Sequence, residues 1–331
     1  MDAAGSASAS GAPAAAAPPA VSAGDVAVVI VNHGTAALLA DCLRSLAGGG
    51  LAGLAATVWV VDNASPDDSV ALVRRDFPWV RLIASRENLG FSTANNLALR
   101  QAGFGCEAPG DEGRPFRHAL ILNPDTVVPQ GAVRALADDL EAEPDLAVVG
   151  PRLLLPDGSL DLACRRAFPS PEVSLYRFLG LSRRFPRHRR FGRYNMTFLP
   201  ETQAADVDSV VGACMLVRGT AIRQVGLFDE AFWMYGEDLD WCMRFKQAGW
   251  RVAYRPRTVA HHVKRAASRG SARARYEFQR AMWLFYRKHY AARNGLPLRL
   301  LVMAALALRG GPRLLREMMT GQAAPAMLPD R

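Results

Sequence analysis

The chain has 331 residues, half of them hydrophobic, which is enough for one large or two small globular domains. No stretch reaches the roughly 18 uninterrupted apolar residues of a membrane-spanning helix, and the nearest is "LLVMAALAL" at 300–308. The net charge of +9 is unevenly spread, because residues 183–193 carry six arginines and no acid. Such asymmetry favours an anionic partner: a phosphorylated substrate, an anionic lipid or a nucleic acid.

The first 24 residues are almost entirely Ala, Ser, Gly and Pro, a composition that predicts a disordered tail. They lack the basic and Leu-rich regions of a secretory signal. The five cysteines are widely spaced and form no C-x-x-C pair. That spacing is typical of reduced thiols, so we expect a cytoplasmic protein.

Strands and helices alternate through the first half of the chain. The predicted strands, apolar and rich in β-branched residues, are 26–33, 57–65, 80–85, 118–123 and 146–155. The predicted helices, with apolar residues on one face, are 35–47, 70–77, 91–102 and 130–143. This alternation predicts an α/β fold with a Rossmann-like, mostly parallel sheet and helices on both faces.

The second half of the chain is less regular. Residues 157–205 are rich in Arg, Pro and Phe and predict a long, partly ordered insertion. The later predicted elements are strands at 207–219 and 251–256, and helices at 220–226, 237–248, 271–290 and from 297 onward. The last two helices are amphipathic or apolar, and the final one is suited to a membrane interface.

Polar side chains end three of the predicted strands. Asn32 ends the first, Asp62 and Asn63 end the second, and Asn123 and Asp125 follow the fourth. Ligands of parallel α/β sheets bind beyond the carboxyl ends of the strands, so these groups should share one edge. No G-x-G-x-x-G or G-x-x-x-x-G-K-[ST] motif follows the first strand, which disfavours dinucleotide-binding and P-loop proteins.

Asp125 and Asn123 have two interpretations. They can form an Asx-type turn, or they can share Mg²⁺ or Mn²⁺, which bind few protein oxygens alongside substrate phosphates. His261 and His262 offer an imidazole, which Mn²⁺ tolerates as a ligand.

The cluster Glu237, Asp238 and Asp240 also has two interpretations. Acids in the first turn of a helix are stabilised by the helix dipole. However, Asp238 lies close in sequence to Trp233 and Tyr235, which would partly desolvate it. Desolvation raises the pKa of a carboxylate toward the range useful for a general base.

The order of these motifs is informative. The segments "VVIVNHGTAALLADCLRSL", "VVDNASPDDS", "ENLGFSTANN", "LILNPDT", "GACMLVRG" and "FDEAFWMYGEDLDWCMR", followed by "HH", occupy residues 26–262. The series resembles the family 2 glycosyltransferases with the GT-A fold, and especially their rhamnosyltransferase-like bacterial branch. The resemblance implies inverting transfer of rhamnose or another hexose from a dTDP- or UDP-linked donor. The implied acceptor is lipid-linked or a polysaccharide of the cell envelope.

The resemblance also implies roles on the donor side. Asn32, Asp62 and Asn63 would contact the nucleotide, while Asn88 and Asn95 would lie along the donor site. Without the resemblance, the last two fit a turn and an Asn-rich helix start equally well.

For the metal and the base, the resemblance gives a second set of roles. Asp125 matches the last acid of the metal motif, with Asn123 in place of the first, and His262 or His261 would be the late metal ligand. Asp238 matches the catalytic base. Glu237 and Asp240 match its acidic surroundings, and Lys264 or Arg265 would aid the leaving diphosphate.

The expected domains follow from these assignments. Residues 25–265 form the catalytic domain, with a nucleotide-binding half at 25–155 and an acceptor half at 156–265. Residues 266–331 form a basic and apolar helical region. We expect this region to contact the inner face of the cell membrane peripherally.

Two other functions compete with this one. A nucleotidyltransferase would share the sheet, but it needs a basic, Gly-rich loop after the first strand, where residues 32–45 offer only Arg44. A nucleic-acid-binding protein would explain the arginines that alternate with Phe185, Phe191 and Tyr194. It would not explain the acids at the sheet edge, so no nucleic-acid partner is expected.

Overall fold

The computed structural model describes residues 24–105, 116–264 and 272–321. The predicted tail, apart from Gly24, lies outside the described residues, as do Cys106 and Arg265. The strands are β1 (Gly24–Asn32), β2 (Ala56–Asn63), β3 (Arg81–Ser85), β4 (Phe116–Leu122), β5 (Thr126–Val127), β6 (Leu146–Leu154), β7 (Ala205–Asp206), β8 (Cys214–Arg218) and β9 (Arg251–His262). The α-helices are α1 (Ala36–Ser45), α2 (Ser69–Asp76), α3 (Phe91–Gln101), α4 (Ala132–Ala142), α5 (Pro171–Phe178), α6 (Leu181–Arg184), α7 (Gly219–Val225), α8 (Glu237–Gln247), α9 (Ala272–His289) and α10 (Leu296–Thr320).

The strands form one sheet in the order β3-β2-β1-β4-β8-β6-β9-β5, and β7 pairs with β9 beside this path. The first four strands of this order are parallel, as are β6 and β9. Only β8, β5 and β7 pair antiparallel to their described neighbours. The prediction of a mostly parallel sheet is therefore confirmed.

The centre of the sheet is covered on both faces. Residues 26–30 of β1 are all fully buried, and successive side chains of a strand point to opposite faces. Both faces of β1 must therefore pack against other elements, as the unbroken apolar run predicted.

Two predicted strands have a boundary that differs from the structure by more than two residues. β8 covers only Cys214–Arg218, and the segment before it is irregular, where the backbone N–H of Gly212 donates to the Asp238 carboxylate. β9 is twice as long as expected and contains His261 and His262 rather than ending before them. Its pairing with β6 shifts register near Pro256 and then resumes, because proline has no N–H for the ladder.

The predicted insertion holds two short α-helices, α5 and α6, and a 3-10 helix at Leu162–Cys164; the rest is largely irregular up to β7. α5 begins at Pro171, and the Ser170 hydroxyl caps it by accepting a hydrogen bond from the backbone N–H of Val173 at 3.2 Å. No helix in the part of the chain that the structure describes is long and apolar enough to cross a membrane.

A buried carboxylate attaches α9 to α8. Asp240 of α8 is fully buried, and it accepts hydrogen bonds from Arg244 at 2.8 Å and from Lys288 and His289 of α9 at 3.1 and 2.8 Å. Although burial alone raises the pKa of Asp240, these donors and their charges lower it. Asp240 therefore joins two helices that are distant in sequence.

Replacing this carboxylate should destabilise the fold. Asp240→Ala leaves the positive charges of Lys288 and Arg244 without their buried partner, so we expect a loss of about 3–5 kcal/mol in the free energy of unfolding, measured by urea denaturation. Asp138→Ala is the matched control, because Asp138 pairs with Arg134 at the solvent-exposed surface and its loss should cost less than about 1 kcal/mol. Equal effects of the two changes would contradict the anchoring role of Asp240.

Candidate active site

The ends of β1 and β2 are joined by side-chain hydrogen bonds. Asn32 Nδ2 donates to Asp62 Oδ2 at 3.1 Å and to the Ser65 hydroxyl at 3.0 Å, while Asp62 Oδ1 accepts from the backbone N–H of Ser65 at 2.9 Å. Asn32 and Asp62 pair in register across the two strands. The two residues thus shape the loop after β2, and both are almost fully buried.

Asn63 fixes the loop that precedes α3. Its Nδ2 donates to Asn88 Oδ1 at 3.0 Å and to the Gly90 carbonyl at 3.1 Å, and its Oδ1 accepts from the backbone N–H of Leu89. Gly90 has a φ of 80°, and a Cβ there would lie 2.5 Å from Trp233. Only glycine fits at this position, which brings the loop close to the segment before α8.

Asn95 lies inside α3 and is fully buried. Its Nδ2 donates to the Phe91 carbonyl at 2.9 Å, one helical turn earlier. Its Oδ1 has no hydrogen-bond partner among the described residues. The structure thus places Asn63 and Asn88 together, and Asn95 in the helix that follows them.

Pairing between β5 and β9 brings Asp125 to His262. Thr126 is opposite His262 in the antiparallel register, and the backbone N–H of Val263 donates to the Asp125 carbonyl at 2.9 Å. As a result His262 Nε2 lies 3.2 Å from Asp125 Oδ1. His262 is buried, whereas its neighbour His261 is exposed.

A second carboxylate, Asp161, holds His262 from the other side. Asp161 Oδ2 lies 2.8 Å from His262 Nδ1, and Asp161 Oδ1 accepts a hydrogen bond from Lys264 Nζ at 2.8 Å. Although burial opposes the charged form, hydrogen bonds to Asp125 and Asp161 and their charges raise the pKa of His262 to about 9. Sequence analysis missed Asp161, whose only local signal is its place after the turn "PDGS" in the aperiodic insertion.

These residues fit a divalent cation. Asp125 Oδ1 is buried, and its contact in the described part of the chain is the ion pair with His262 Nε2 at 3.2 Å. With His262 Nδ1 bound to Asp161, Nε2 is the nitrogen directed at Asp125, the usual arrangement of a metal-binding histidine. The described residues contain no group of three or more His, Cys, Asp or Glu side chains arranged around a metal.

Asn123 contributes mainly through its backbone. Its N–H donates to the Ala213 carbonyl at 3.0 Å, and its carbonyl accepts from the Cys42 thiol. The Thr126 N–H also donates to this carbonyl at 3.2 Å, which closes a backbone turn over residues 123–126. The turn directs the chain from β4 into β5 and so positions Asp125.

Asp238 forms a buried ion pair with Arg166. Arg166 Nη2 lies 2.7 Å from Asp238 Oδ2, which also accepts from the N–H of Gly212, while Asp238 Oδ1 accepts from the N–H of Leu239. Although burial opposes its charged form, the charge of Asp238 raises the pKa of Arg166, so the guanidinium stays charged. Arg166 was missed because it lies in the insertion, where a run of arginines gives no individual signal.

The other two acids of the cluster have different surroundings. Glu237 is buried beside Asp238, and its Oε2 has no hydrogen-bond partner within the described ranges. Burial, together with the nearby charge of Asp238, raises the pKa of Glu237 to about 8. Asp240 faces away toward α9, where it anchors that helix.

The chain is similar to known proteins over most of its length. A family model described as "Glycosyltransferase like family 2" matches residues 23–283. The N-acetylglucosaminyl-diphospho-decaprenol L-rhamnosyltransferase of Mycobacterium tuberculosis is 32% identical over 256 residues, which cover 76% of this chain and 81% of that protein. The low-salt glycan biosynthesis hexosyltransferase Agl10 of Haloferax volcanii is 24% identical over 272 residues, which cover 82% of this chain and 76% of that protein.

A solved structure shares the fold. The mannosyltransferase PcManGT from Pyrobaculum calidifontis, in complex with GDP-Man and Mn²⁺, matches with a TM-score of 0.52 at 18% identity. The match covers 90% of this chain and 79% of that one. It shows that the sheet and helices described above have the GT-A fold.

The raised pKa of Glu237 predicts a pH dependence of stability. Between the ordinary value of 4.5 and about 8 the native state binds a proton that the unfolded state has lost. The free energy of unfolding should therefore fall as pH rises through this interval. Glu237→Gln keeps the shape but does not titrate, so its stability relative to the unmodified protein should increase from pH 5 to pH 9, as measured by urea unfolding. A difference that stays constant across that range would contradict a protonated Glu237.

Proposed function

Because this chain belongs to glycosyltransferase family 2, we propose that it transfers a sugar with inversion from a nucleotide-diphosphate sugar to an acceptor hydroxyl. The donor would be dTDP- or UDP-linked and carry rhamnose or another hexose. The acceptor would be a lipid-linked or polysaccharide intermediate of the cell envelope. The name of the Mycobacterium tuberculosis relative, N-acetylglucosaminyl-diphospho-decaprenol L-rhamnosyltransferase, supports rhamnose as the sugar and a lipid-linked acceptor.

The observation that carries the proposal is the buried Oδ1 of Asp125, which lies 3.2 Å from His262 Nε2 at the carboxyl edge of the sheet. We propose that these two residues hold Mg²⁺ or Mn²⁺ together with the donor. A bound divalent cation neutralises charge that develops on a leaving diphosphate. Asp161 keeps His262 oriented, and Lys264, which is bound to the same carboxylate, adds positive charge nearby.

The nucleotide would lie on the neighbouring part of the same edge. Asn32 and Asp62 shape the loop after β2, and Asn63 fixes the loop at Asn88. Asn95 follows in α3. In this assignment residues 25–155 bind the donor and residues 156–265 bind the acceptor.

Asp238 is the proposed base. The acceptor hydroxyl would give its proton to the Asp238 carboxylate while its oxygen forms the new bond to the anomeric carbon. The bond from that carbon to the diphosphate oxygen breaks on the opposite face, and its electron pair leaves with the diphosphate. Asp238 Oδ1 accepts one described hydrogen bond, from Leu239, and a carboxylate oxygen has room for a second.

Arg166 would balance the charge of the Asp238 carboxylate and fix its orientation. Burial and the charge of Asp238 raise the pKa of Glu237 and so favour its neutral form, which adds no second negative charge beside the proposed base. We further propose that the protein works at the inner face of the cell membrane, where a lipid-linked acceptor is accessible.

The base assignment predicts a separation of binding from catalysis. Asp238→Asn should leave donor affinity nearly unchanged in calorimetry and reduce transfer by about a hundredfold or more, because the acceptor proton has no base. Retained donor binding also shows that the variant is folded. Asp229→Asn is the control, since Asp229 contacts Lys288 and the backbone N–H of Ala231 near the surface and not the Asp238 carboxylate. Transfer at the normal rate by Asp238→Asn would remove Asp238 from the base role.

The metal assignment predicts a difference between neighbouring histidines. Chelation should abolish transfer and added Mg²⁺ or Mn²⁺ should restore it, and His262→Ala should weaken metal-dependent donor binding by about tenfold or more. His261→Ala is the matched control, because His261 is exposed and should leave that binding intact. Full activity in chelator, or equal losses in the two variants, would contradict this metal site.

A further inference from the structure

The outer face of α10 is apolar and exposed. Leu296, Leu300, Leu301 and Leu308 are between 55% and 80% exposed, and at 100° per residue they share one side of the helix. The opposite side carries Val302, Met303 and Leu306, which pack against the cluster around α9. The segment 296–310 is therefore apolar on both its inner and its outer side.

The charged side chains of the segment are Arg299 and Arg309. An exposed apolar helix face of this kind is typical of a site of protein or membrane contact. Segment 296–310, which ends at the break in helical geometry at Gly311, is about 22 Å long at 1.5 Å per residue. That is shorter than the roughly 30 Å hydrocarbon layer of a bilayer. Such a helix suits the interface, parallel to the membrane plane.

A second exposed apolar face lies on α5. Leu175, Phe178 and Leu179 have the spacing of one helical face and are about half exposed. The guanidinium of Arg309 in α10 lies 4.9 Å from the centre of the Phe178 ring. This contact places α5 beside α10, although more than a hundred residues separate the two residues in sequence.

Positive charge surrounds these faces. The segment 171–200 contains seven arginines and one acid, Glu172, and among its described residues only Arg190 forms an ion pair with a carboxylate. Beside α5 lies a groove of about 440 Å³ lined in part by Arg189, Arg190 and Arg193. The adjoining side of α5, with Tyr176, forms its wall.

From these contacts we propose that α5 and α10 together form one docking surface for an anionic lipid bilayer, with the leucines inserted into the interface and the arginines at the headgroups. A second copy of the chain would bring the two arginine-rich rims against each other, which like charges oppose. An anionic bilayer accommodates both the exposed leucines and the arginines, because arginine near an anionic surface adds to the binding that apolar burial provides. The inference deepens the proposed function, since docking would bring the site to a lipid-linked acceptor.

Vesicle sedimentation of the full chain tests the two-helix surface. The protein should sediment with phosphatidylcholine vesicles that contain phosphatidylglycerol, bind pure phosphatidylcholine weakly, and dissociate as ionic strength rises. Leu179→Glu and Leu300→Glu should each weaken binding by about tenfold or more, because each places a charge at the inserted face. Trp79→Glu is the matched control, an equally exposed apolar residue before β3, and should bind as the unmodified protein does.

Several results would overturn the proposal. The first is that the unmodified protein does not bind vesicles, and the second is that both variants bind as it does. The third is that Leu300→Glu weakens binding and Leu179→Glu does not, which would mean that α10 binds alone. A dimer that Leu300→Glu dissociates, with no vesicle binding, would assign the surface to a second copy. Calorimetric binding of dTDP- and UDP-sugars should be equal in all variants. If neither the unmodified protein nor any variant binds these sugars, the result counts against the proposed function but not against the docking surface.

Discussion

The short antiparallel pairing of β5 with the end of β9 is the constraint on which the site depends. It sets Thr126 opposite His262 and so places Asp125 against an imidazole that is distant in sequence. The turn at Asn123 makes this pairing geometrically accessible, because it redirects the chain as soon as β4 ends. The pairing is therefore what brings the carboxylate after β4 into contact with a histidine that is distant in sequence.

Ionic contacts of two insertion residues complete the arrangement. Asp161 holds His262 and Lys264, and Arg166 holds Asp238. Asp161 and Arg166 are close in sequence, so one stretch of the insertion contacts both His262 and Asp238. The same insertion then continues into α5, which meets α10 through Phe178. The insertion thereby connects the candidate active site to the docking surface that we propose on α5 and α10.

The parts of the fold that follow from local pattern were predictable from sequence. β1 and β2 were visible because strands buried on both faces must be apolar throughout, and Asn32, Asp62 and Asn63 stood out where those runs end. The position of β8, antiparallel between β4 and β6, and the full length of β9 could not be predicted in this way. They depend on pairing between distant segments and on a register shift near Pro256. Asp161 and Arg166 were missed for the same reason, because their partners are distant in sequence.

The central claim is that this sheet edge binds a nucleotide-diphosphate sugar together with a divalent cation. A thermal-shift series on the unmodified protein, with a panel of nucleotide sugars in the presence and absence of Mn²⁺, tests it most directly, because a ligand of the native state alone raises the melting temperature. The account predicts that at least one dTDP- or UDP-sugar raises the melting temperature, and does so more with Mn²⁺ than without it. A melting temperature that no nucleotide sugar changes under either condition would contradict the account.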